Sequence, residues 1–206
     1  MLEVSNVRVS DLVESIIACR NAIRTELPEY TAEEFQESLK RAIKLASMPT
    51  NSGHCTFLSG IRVSFDIKYP NYISPELQRY HWVDIVTSSS KMHKLVKMDM
   101  DVCFNKYVLD STKAIMKSLV KAYNEEPSYE NFMFVLSNCP QGIELFMRCS
   151  TNYLQLRTIW SQRKHHALRE DWQEGFCKNF ISTLPYAKEF ITLEGTYIRS
   201  NTKIIK

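Results

Sequence analysis

The sequence predicts one mixed α/β domain that covers residues 1–206. Apolar and polar residues alternate through residues 61–69, which is the period of a strand with one buried face. Segments on both sides of this strand carry helix-capping residues followed by apolar stripes of helical period. Neither an internal repeat nor a low-complexity linker divides the chain. A length of 206 residues suits a single domain with its own core.

The helices predicted before this strand are marked by their first residues. Asp11 is a predicted N-cap, and Thr31 with Glu34 forms a capping box that opens a second helix. The apolar face of the first helix contains Leu12, Ile16, Cys19 and Ile23. The apolar stripe of the second helix contains Phe35, Leu39, Ala42 and Ala46. A turn-forming segment at residues 49–53 ends the second helix.

The segment that follows the strand carries the signals of a helix start. Pro70 ends the strand, because proline has no backbone N–H to donate to a neighbouring strand. Ser74 then supplies an N-cap, with Pro75 at the first helical position and Glu76 in the first turn. A helix is therefore expected through residues 77–86, ahead of a polar run at residues 87–90.

The second half of the chain predicts mostly helices. Asp110 or Ser111 begins a helix that carries Ile115, Leu119 and Tyr123 on its buried side. Periodicity and capping then place a short helix, a strand, a helix capped by Ser150 and a last amphipathic helix at residues 128–136, 143–148, 151–164 and 169–183, respectively.

Composition and charge exclude several classes of protein. Hydrophobic residues are 44% of the chain and charged residues 24%, as in ordinary globular proteins, and a net charge of +3 alone does not indicate a nucleic-acid partner. The six cysteines form no C-x-x-C pair, so free thiols in a reducing, cytoplasmic compartment are expected. The first residues lack the features of a signal peptide, and no run approaches the roughly 18 apolar residues of a membrane helix, so we expect no membrane partner.

Two segments, residues 61–91 and 143–164, combine a strand, a helix start and polar side chains. The first contains Gln78, Arg79, His81, Asp84 and the run from Ser88 to Lys91, and the second contains Arg148, Asn152 and Arg157. Arginine side chains suit phosphate oxygens, while serine hydroxyls and an asparagine amide can hydrogen-bond a base. The pattern indicates a nucleotide site, or else solvated helix faces held by pairs four residues apart.

Other kinds of site have weaker support in the sequence. The histidines show no H-E-x-x-H or comparable spacing, so we expect no metal site. The chain contains no G-x-S-x-G, no P-loop and no G-x-G-x-x-G, which leaves no motif for a serine hydrolase, an ATPase or a Rossmann domain. Residues 157–169 are basic, contain Trp160 and lack an acid, and they are the segment that best suits nucleic acid.

The motifs in the two polar segments resemble those of the flavin-dependent thymidylate synthases. Residues 53–56 read G-H-C-T, where that family has G-H-x-T before a strand. Residues 79–81 read R-Y-H, followed by Ser89 and Lys91, where the family has R-H-R, then serine, then R-Y. Arg148 precedes residues 152–157, N-Y-L-Q-L-R, which are similar to the family's arginine and N-x-x-x-L-R. The resemblance implies an antiparallel sheet flanked by helices.

The resemblance also implies an activity, which is the reductive methylation of dUMP at C5 to give dTMP. The family uses FAD as hydride carrier, methylenetetrahydrofolate as carbon donor and NADPH as reductant, in a homotetramer with sites between subunits. By resemblance the nucleotide contacts are Arg79, Ser89, Lys91 and Arg157, of which Ser89 and Arg157 are the implied catalytic residues. By resemblance the flavin contacts are Thr56, Tyr80, His81, Arg148 and Asn152.

The sequence departs from the family pattern at several charged positions. Tyr80 and His81 replace a histidine and an arginine, and Lys91 replaces an arginine whose fork a lysine cannot reproduce. Glu76 stands where the family has glutamine, and residues 132–135 lack the family's phosphate-binding arginine. Other cations, such as Arg163 or Lys164, would have to replace the lost charge.

These departures leave alternatives open beside dUMP methylation. One is a related reaction, such as hydroxymethylation or another flavin-dependent modification of a pyrimidine. The other is a diverged relative that binds a nucleotide or nucleic acid without thymidylate synthesis. A divergent copy of this kind would suit a virus or a mobile element.

Overall fold

The computed structural model describes residues 1–49 and 52–193, and it contains an antiparallel four-stranded sheet. The strands are β1 (Glu3–Ser10), β2 (Arg62–Pro70), β3 (Asp84–Ser88) and β4 (Glu144–Asn152), in the order β1-β2-β4-β3. The α-helices are α1 (Leu12–Ala18), α2 (Ala32–Ala46), α3 (Ser74–Leu77), α4 (Lys91–Lys94), α5 (Asp110–Glu125), α6 (Tyr129–Asn138) and α7 (Tyr153–Arg163). Two π-helices follow, Arg169–Lys178 and Lys188–Thr192. The predicted α/β class with an antiparallel sheet is confirmed.

The chain divides into two compact units. The first contains Met1–Asn6 and Phe65–Cys149, and the second contains the described residues of Val7–Ser64 and of the chain from Ser150 onward. Strands β1, β2 and β4 each contribute residues to both units. That residues 1–206 form one domain stays a prediction.

In the first unit, the sheet has one buried face and one polar face. Phe65 and Ile67 of β2 and Leu145 and Met147 of β4 are buried. The opposite face carries Asp66, Lys68, Glu144, Phe146 and Arg148. The predicted strand at residues 61–69 is confirmed, because one face of β2 packs into a core and side chains alternate with a period of two.

In the second unit, an ion cluster joins the segment after α1 to α2. The Thr31 side chain caps α2 by accepting from the Glu34 backbone N–H at 3.2 Å, as predicted. The Glu34 carboxylate also accepts from Arg20 at 3.1 Å, from Ser38 at 2.8 Å and from Arg24. The bond from Arg24, followed by that from Ser38, lowers the pKa of Glu34 from its ordinary value. These contacts fix the start of α2.

An aromatic ladder forms part of the core of the second unit. The ring centroids of Trp172 and Phe176 are 5.4 Å apart, and those of Phe176 and Phe180 are 5.1 Å apart. All three side chains are buried. The Tyr153 hydroxyl, at the start of α7, donates to the Pro185 carbonyl at 2.8 Å. Edge-to-face rings of this kind add to the stabilisation that burial alone provides.

Several predicted elements were wrong in extent or type. The helix expected through residues 77–86 ends at Leu77, and Val86 lies in β3. Ser150 is not a cap, because β4 continues to Asn152, whose side chain caps α7 instead. The helix expected at residues 169–183 is a π-helix at Arg169–Lys178, in which the Asn179 N–H bonds to the Glu174 carbonyl at 2.9 Å.

The N-terminal segment also differs from expectation. Strand β1 was not predicted, and α1 ends at Ala18 rather than near Ile23. Asp11 occupies the N-cap position of α1, as predicted, but it has a φ of 58° and its side chain makes no capping bond. Within residues 1–49 and 52–193, no helix combines the length and apolar character needed to cross a membrane.

Candidate functional site

A cavity of about 600 Å³ opens on the polar face of the sheet in the first unit. We call it the serine pocket, because three consecutive serines line it. Its lining residues are Ser5, Asp66, Ile67, Lys68, Thr87, Ser88, Ser89, Ser90, His93, Lys94, Phe146, Met147 and Arg148. Cations and hydroxyls therefore surround a space of the size that small-molecule sites usually have, about 300–1,000 Å³.

Ser89 is held in the serine pocket by the backbone of β4. The Ser89 N–H donates to the Phe146 carbonyl at 2.8 Å, and the Phe146 N–H donates to Ser89 Oγ at 3.0 Å. Since Oγ accepts that bond, the hydroxyl keeps its own proton to donate to a ligand. The position of Ser89 is fixed while its donor stays usable.

Arg148 lies in the same pocket but is tied to the sheet. Its Nη1 donates to the Asn6 carbonyl at 3.0 Å and to Asp66 Oδ1 at 3.1 Å. Asn6 Nδ2 donates to Asp66 Oδ2 at 2.6 Å, and this bond, followed by that from Arg148, lowers the pKa of Asp66. The Asp66 carboxylate therefore stays charged and neutralises much of the charge that Arg148 brings to the pocket.

Lys68 and Lys94 are the lysines of the serine pocket. Lys68 pairs with Glu144 at 2.6 Å, and this bond raises the pKa of the lysine. Lys94 places its Nζ 4.6 Å from the centroid of the Phe146 ring. It forms no ion pair with any residue that the structure describes. Lys94 is thus the lysine of this pocket that is free to meet an anionic ligand.

A second cavity, of about 550 Å³, lies in the second unit. We call it the G-H-C-T pocket, because Gly53, His54 and Thr56 line it together with Cys19, Arg41 and Phe57. The Thr56 hydroxyl donates to the Gly53 carbonyl at 2.5 Å, and Gly53 has a φ of 74°, a value that favours glycine. Burial raises the pKa of the Cys19 thiol, although the neighbouring Arg41 opposes that change.

Solved structures with the same architecture were found. The chain matches the flavin-dependent thymidylate synthase ThyX from Helicobacter pylori, complexed with FAD and dUMP, with a TM-score of 0.70. This match covers 92% of this chain and 97% of that chain at 15% sequence identity. A further structure of the same enzyme with FAD and dUMP gives 0.68, with 93% and 97% covered and 15% identity.

The chain has the fold of a flavin-dependent thymidylate synthase. It also matches the UMP/dUMP methylase PolB from Streptomyces cacaoi, bound with 5-Br dUMP, with a TM-score of 0.53. That match covers 81% of this chain and 79% of that chain at 13% identity. No protein-family model matches the sequence, and neither does any curated protein. The resemblance seen in the motifs is confirmed for the fold.

Within this thymidylate synthase fold, three of the predicted site residues line the two pockets. Ser89 and Arg148 meet in the serine pocket, although they come from separate sequence blocks. Thr56 lines the G-H-C-T pocket beside His54. Sequence reasoning therefore found one pocket residue in the segment after β3 and one in β4. The roles of these residues stay predictions.

The remaining predicted residues line neither pocket. Arg79 and His81 are exposed, Tyr80 is buried, and Lys91 is half-buried at the start of α4. The Asn152 side-chain oxygen accepts from the Gln155 N–H at 2.9 Å and so caps α7. Capping explains the position of Asn152 without a ligand.

Arg157 is buried and bound to the end of α2. Its Nη1 donates to the Ala46 carbonyl at 2.7 Å, and its Nη2 donates to the Met48 carbonyl at 3.4 Å. Burial lowers the pKa of this guanidinium from its ordinary value. In this conformation Arg157 satisfies carbonyls at a helix C-terminus that otherwise have no intrahelical partner.

The basic segment at residues 157–169 has a mixed environment. Arg157 is buried, and the Arg163 guanidinium lies 4.7 Å from the centroid of the Trp172 ring. Lys164, His165 and Arg169 are exposed. Binding of nucleic acid through this segment stays a prediction. In the part of the chain that the structure describes, no group of three His, Cys, Asp or Glu residues is arranged to hold a metal ion.

Sequence reasoning missed Lys94 and Phe146 of the serine pocket and Arg41 of the G-H-C-T pocket. For Phe146 a signal existed, because it is the outward residue between buried Leu145 and Met147 in a strand. For Lys94 and Arg41 no local pattern distinguishes a lysine or arginine in a pocket from any other surface cation.

Proposed function

We propose that this protein modifies C5 of a pyrimidine deoxynucleotide with a bound flavin, most simply by methylating dUMP to dTMP. The fold match supports this proposal, because it extends over 92% of the chain to an enzyme complexed with FAD and dUMP. The match to a UMP/dUMP methylase supports the same class of substrate. The meeting of Ser89 and Arg148 in one pocket is the observation from this chain that carries it.

The residues present fit a phosphorylated ligand. The serine pocket combines hydroxyl donors at Ser88, Ser89 and Ser90 with the ammonium of Lys94, and phosphate oxygens accept from both kinds of group. In the proposal, Arg79, Ser89, Lys91 and Arg157 contact the nucleotide, with Ser89 and Arg157 nearest the reacting atoms. A cation beside the uracil carbonyl would stabilise negative charge that develops there. To reach a nucleotide, Arg157 must release the Ala46 carbonyl.

A flavin would be held by residues from both sequence blocks. In the proposal these are Thr56, Tyr80, His81, Arg148 and Asn152. The cation at Arg41 suits a flavin phosphate in the G-H-C-T pocket, and the Thr56 hydroxyl must release the Gly53 carbonyl to donate to that phosphate. When bound, FAD supplies the hydride, with methylenetetrahydrofolate as carbon donor and NADPH as reductant. We further propose a homotetramer that works in the cytoplasm.

The absorption spectrum of the purified protein tests the flavin part of the proposal. We expect the flavin bands in the protein as isolated or after addition of FAD and removal of the excess by dialysis. Replacing Thr56 with valine removes a hydroxyl of the G-H-C-T pocket and is expected to weaken FAD binding about fivefold. Thr158→Val is the matched control, because the Thr158 hydroxyl bonds within α7 to the Leu154 carbonyl.

One result would reject a flavoenzyme, and another would reject only the role of Thr56. A colourless protein that retains no added FAD would reject flavin-dependent methylation and every related flavin reaction together. Equal FAD affinity in the Thr56 and Thr158 variants would reject the role of Thr56. Binding of nucleic acid by a protein that takes up no FAD would favour the diverged, non-synthesising alternative.

A further inference from the structure

Phe146 is an exposed aromatic side chain on the polar face of the sheet. Its neighbours in β4, Leu145 and Met147, are buried, whereas 54% of Phe146 is exposed. The ring lines the serine pocket and meets the Lys94 ammonium at 4.6 Å from its centroid. A large apolar ring that faces a cavity among polar groups gains from contact with another flat, apolar surface.

The cations of the serine pocket differ in how firmly they are engaged. Arg148 is paired with Asp66, and Lys68 is paired with Glu144. Lys94 is engaged through the face of an exposed ring, which is a weak interaction at a solvated site. Lys94 is therefore the cation that can move to a ligand without leaving a carboxylate unpaired.

The serine donors are held against the backbone of the residue that carries the ring. Ser89 and Phe146 exchange two hydrogen bonds, at 2.8 Å and 3.0 Å. Ser88 and Ser90 flank Ser89 and line the same cavity. The hydroxyl of Ser89 consequently stays at a set distance from the Phe146 backbone, from which the ring extends into the same cavity. A ligand with a ring at one end and an anion at the other would meet both groups.

We infer that Phe146 and Lys94 form a receptor for a planar heteroaromatic ring that carries a phosphate. The ring of the ligand stacks on the Phe146 ring, in the space that the Lys94 ammonium now covers. The ammonium then turns to the phosphate of the ligand, beside the serine hydroxyls. The inference rests on the proposed function, since the phosphate belongs either to a nucleotide such as dUMP or to FAD. Arg163 was one expected source of replacement charge, but it stacks on Trp172.

Equilibrium binding to dUMP, deoxyuridine and FAD tests the receptor. Lys94→Met removes the charge and Phe146→Leu removes the ring, while Lys94→Arg and Phe146→Tyr keep them. Lys97→Met and Phe134→Leu are matched controls, because both residues are exposed and lie outside the serine pocket. Circular dichroism confirms that each variant is folded before binding is measured.

We expect Lys94→Met to weaken dUMP binding about tenfold or more and to leave deoxyuridine binding within about twofold. Phe146→Leu is expected to weaken both ligands about fivefold, since it acts on the ring. Lys94→Arg, Phe146→Tyr and the two controls should bind like the wild type. If Lys94→Met and Phe146→Leu instead weaken FAD binding and leave dUMP binding unchanged, the phosphate that Lys94 meets is that of FAD. This result would equally support the receptor.

The receptor is overturned if Lys94→Met or Phe146→Leu leaves the affinities for dUMP and FAD both unchanged. It is also overturned if Lys94→Met weakens deoxyuridine as much as dUMP, because the lysine would then not act on the phosphate. The receptor is likewise overturned if the wild-type protein binds neither dUMP nor FAD. A protein that binds through these residues yet performs no chemistry at C5 would reject the proposed function and leave the receptor standing.

Discussion

Arg157→Ala is expected to lower the free energy of unfolding by about 3 kcal/mol. The guanidinium is buried, and the substitution leaves the Ala46 and Met48 carbonyls without the charged donors that now satisfy them. A charged hydrogen bond contributes about 1.5–3 kcal/mol, and the lost side chain also leaves a cavity. Urea denaturation followed by circular dichroism measures this change.

Two further variants separate the structural role of Arg157 from its proposed contact with the nucleotide. Arg157→Lys keeps a cation but cannot reach two carbonyls as a fork, so intermediate stability is expected. Arg169→Ala removes an exposed arginine and should change stability by no more than about 0.5 kcal/mol. If Arg157→Ala is as stable as the wild type, the bonds to α2 contribute nothing. A loss of about 2–3 kcal/mol in dUMP affinity in folded Arg157→Ala would support the nucleotide contact.

Trp172→Ala is expected to lower the free energy of unfolding by about 3–5 kcal/mol. The indole is fully buried in the π-helix Arg169–Lys178 and packs edge-to-face on Phe176 at 5.4 Å. The Arg163 guanidinium also lies 4.7 Å from the ring centroid. Removal of the ring empties a large volume and ends both contacts. The measurement is again urea denaturation, with far-ultraviolet circular dichroism as the signal.

An exposed tryptophan and a conservative variant of Trp172 are the controls for this prediction. Trp82 is 67% exposed, and Trp82→Ala should change stability by about 0.5 kcal/mol or less. Trp172→Phe keeps an aromatic ring in the ladder and should lose less stability than Trp172→Ala. Similar stability losses for the Trp82 and Trp172 variants would contradict the assignment of Trp172 to the core.

The sequence predicted well those elements whose signals are local. Strand β2 was found because one of its faces is buried, which imposes a period of two on its apolar residues. The start of α2 was found because a Thr31 side chain satisfies a backbone donor that no carbonyl within the helix reaches. In each case the physical requirement is met by residues close together in the chain.

Elements that depend on distant partners were missed. All five residues of β3 are exposed, so no alternation marks the strand, and its pairing with β4 cannot be seen locally. The capping signals at Ser74 and Pro75 predicted a longer helix, but tight turns follow Leu77, in which the Tyr80 N–H bonds to the Leu77 carbonyl and the Val83 N–H to the Tyr80 carbonyl. In β1, Asn6 has a φ of 48°, which interrupts the extended backbone. Val4 and Val7 lie on either side of this residue at a spacing of three, so the sequence of β1 shows no continuous alternation with a period of two.

Only part of the site was predicted, because some of its contacts join residues that are far apart in sequence. Motif spacing identified Ser89 and Arg148, which the sheet brings into one pocket. The bonds of Arg157 could not be foreseen, because α2 ends at Ala46, far from Arg157 in sequence. The engagement of Arg148 by Asp66 was also hidden, since the pair joins two strands that are 82 positions apart at these residues. Charge near a pocket could be predicted, but its pairing could not.

Release of tritium from dUMP labelled at C5 shows whether this protein modifies that carbon. The protein is incubated with FAD, methylenetetrahydrofolate and NADPH, and the label that enters water is counted. We predict release that requires the protein, FAD, the folate and NADPH together, with dTMP as the product. Absence of release from protein that has been shown to hold both FAD and dUMP would contradict the account.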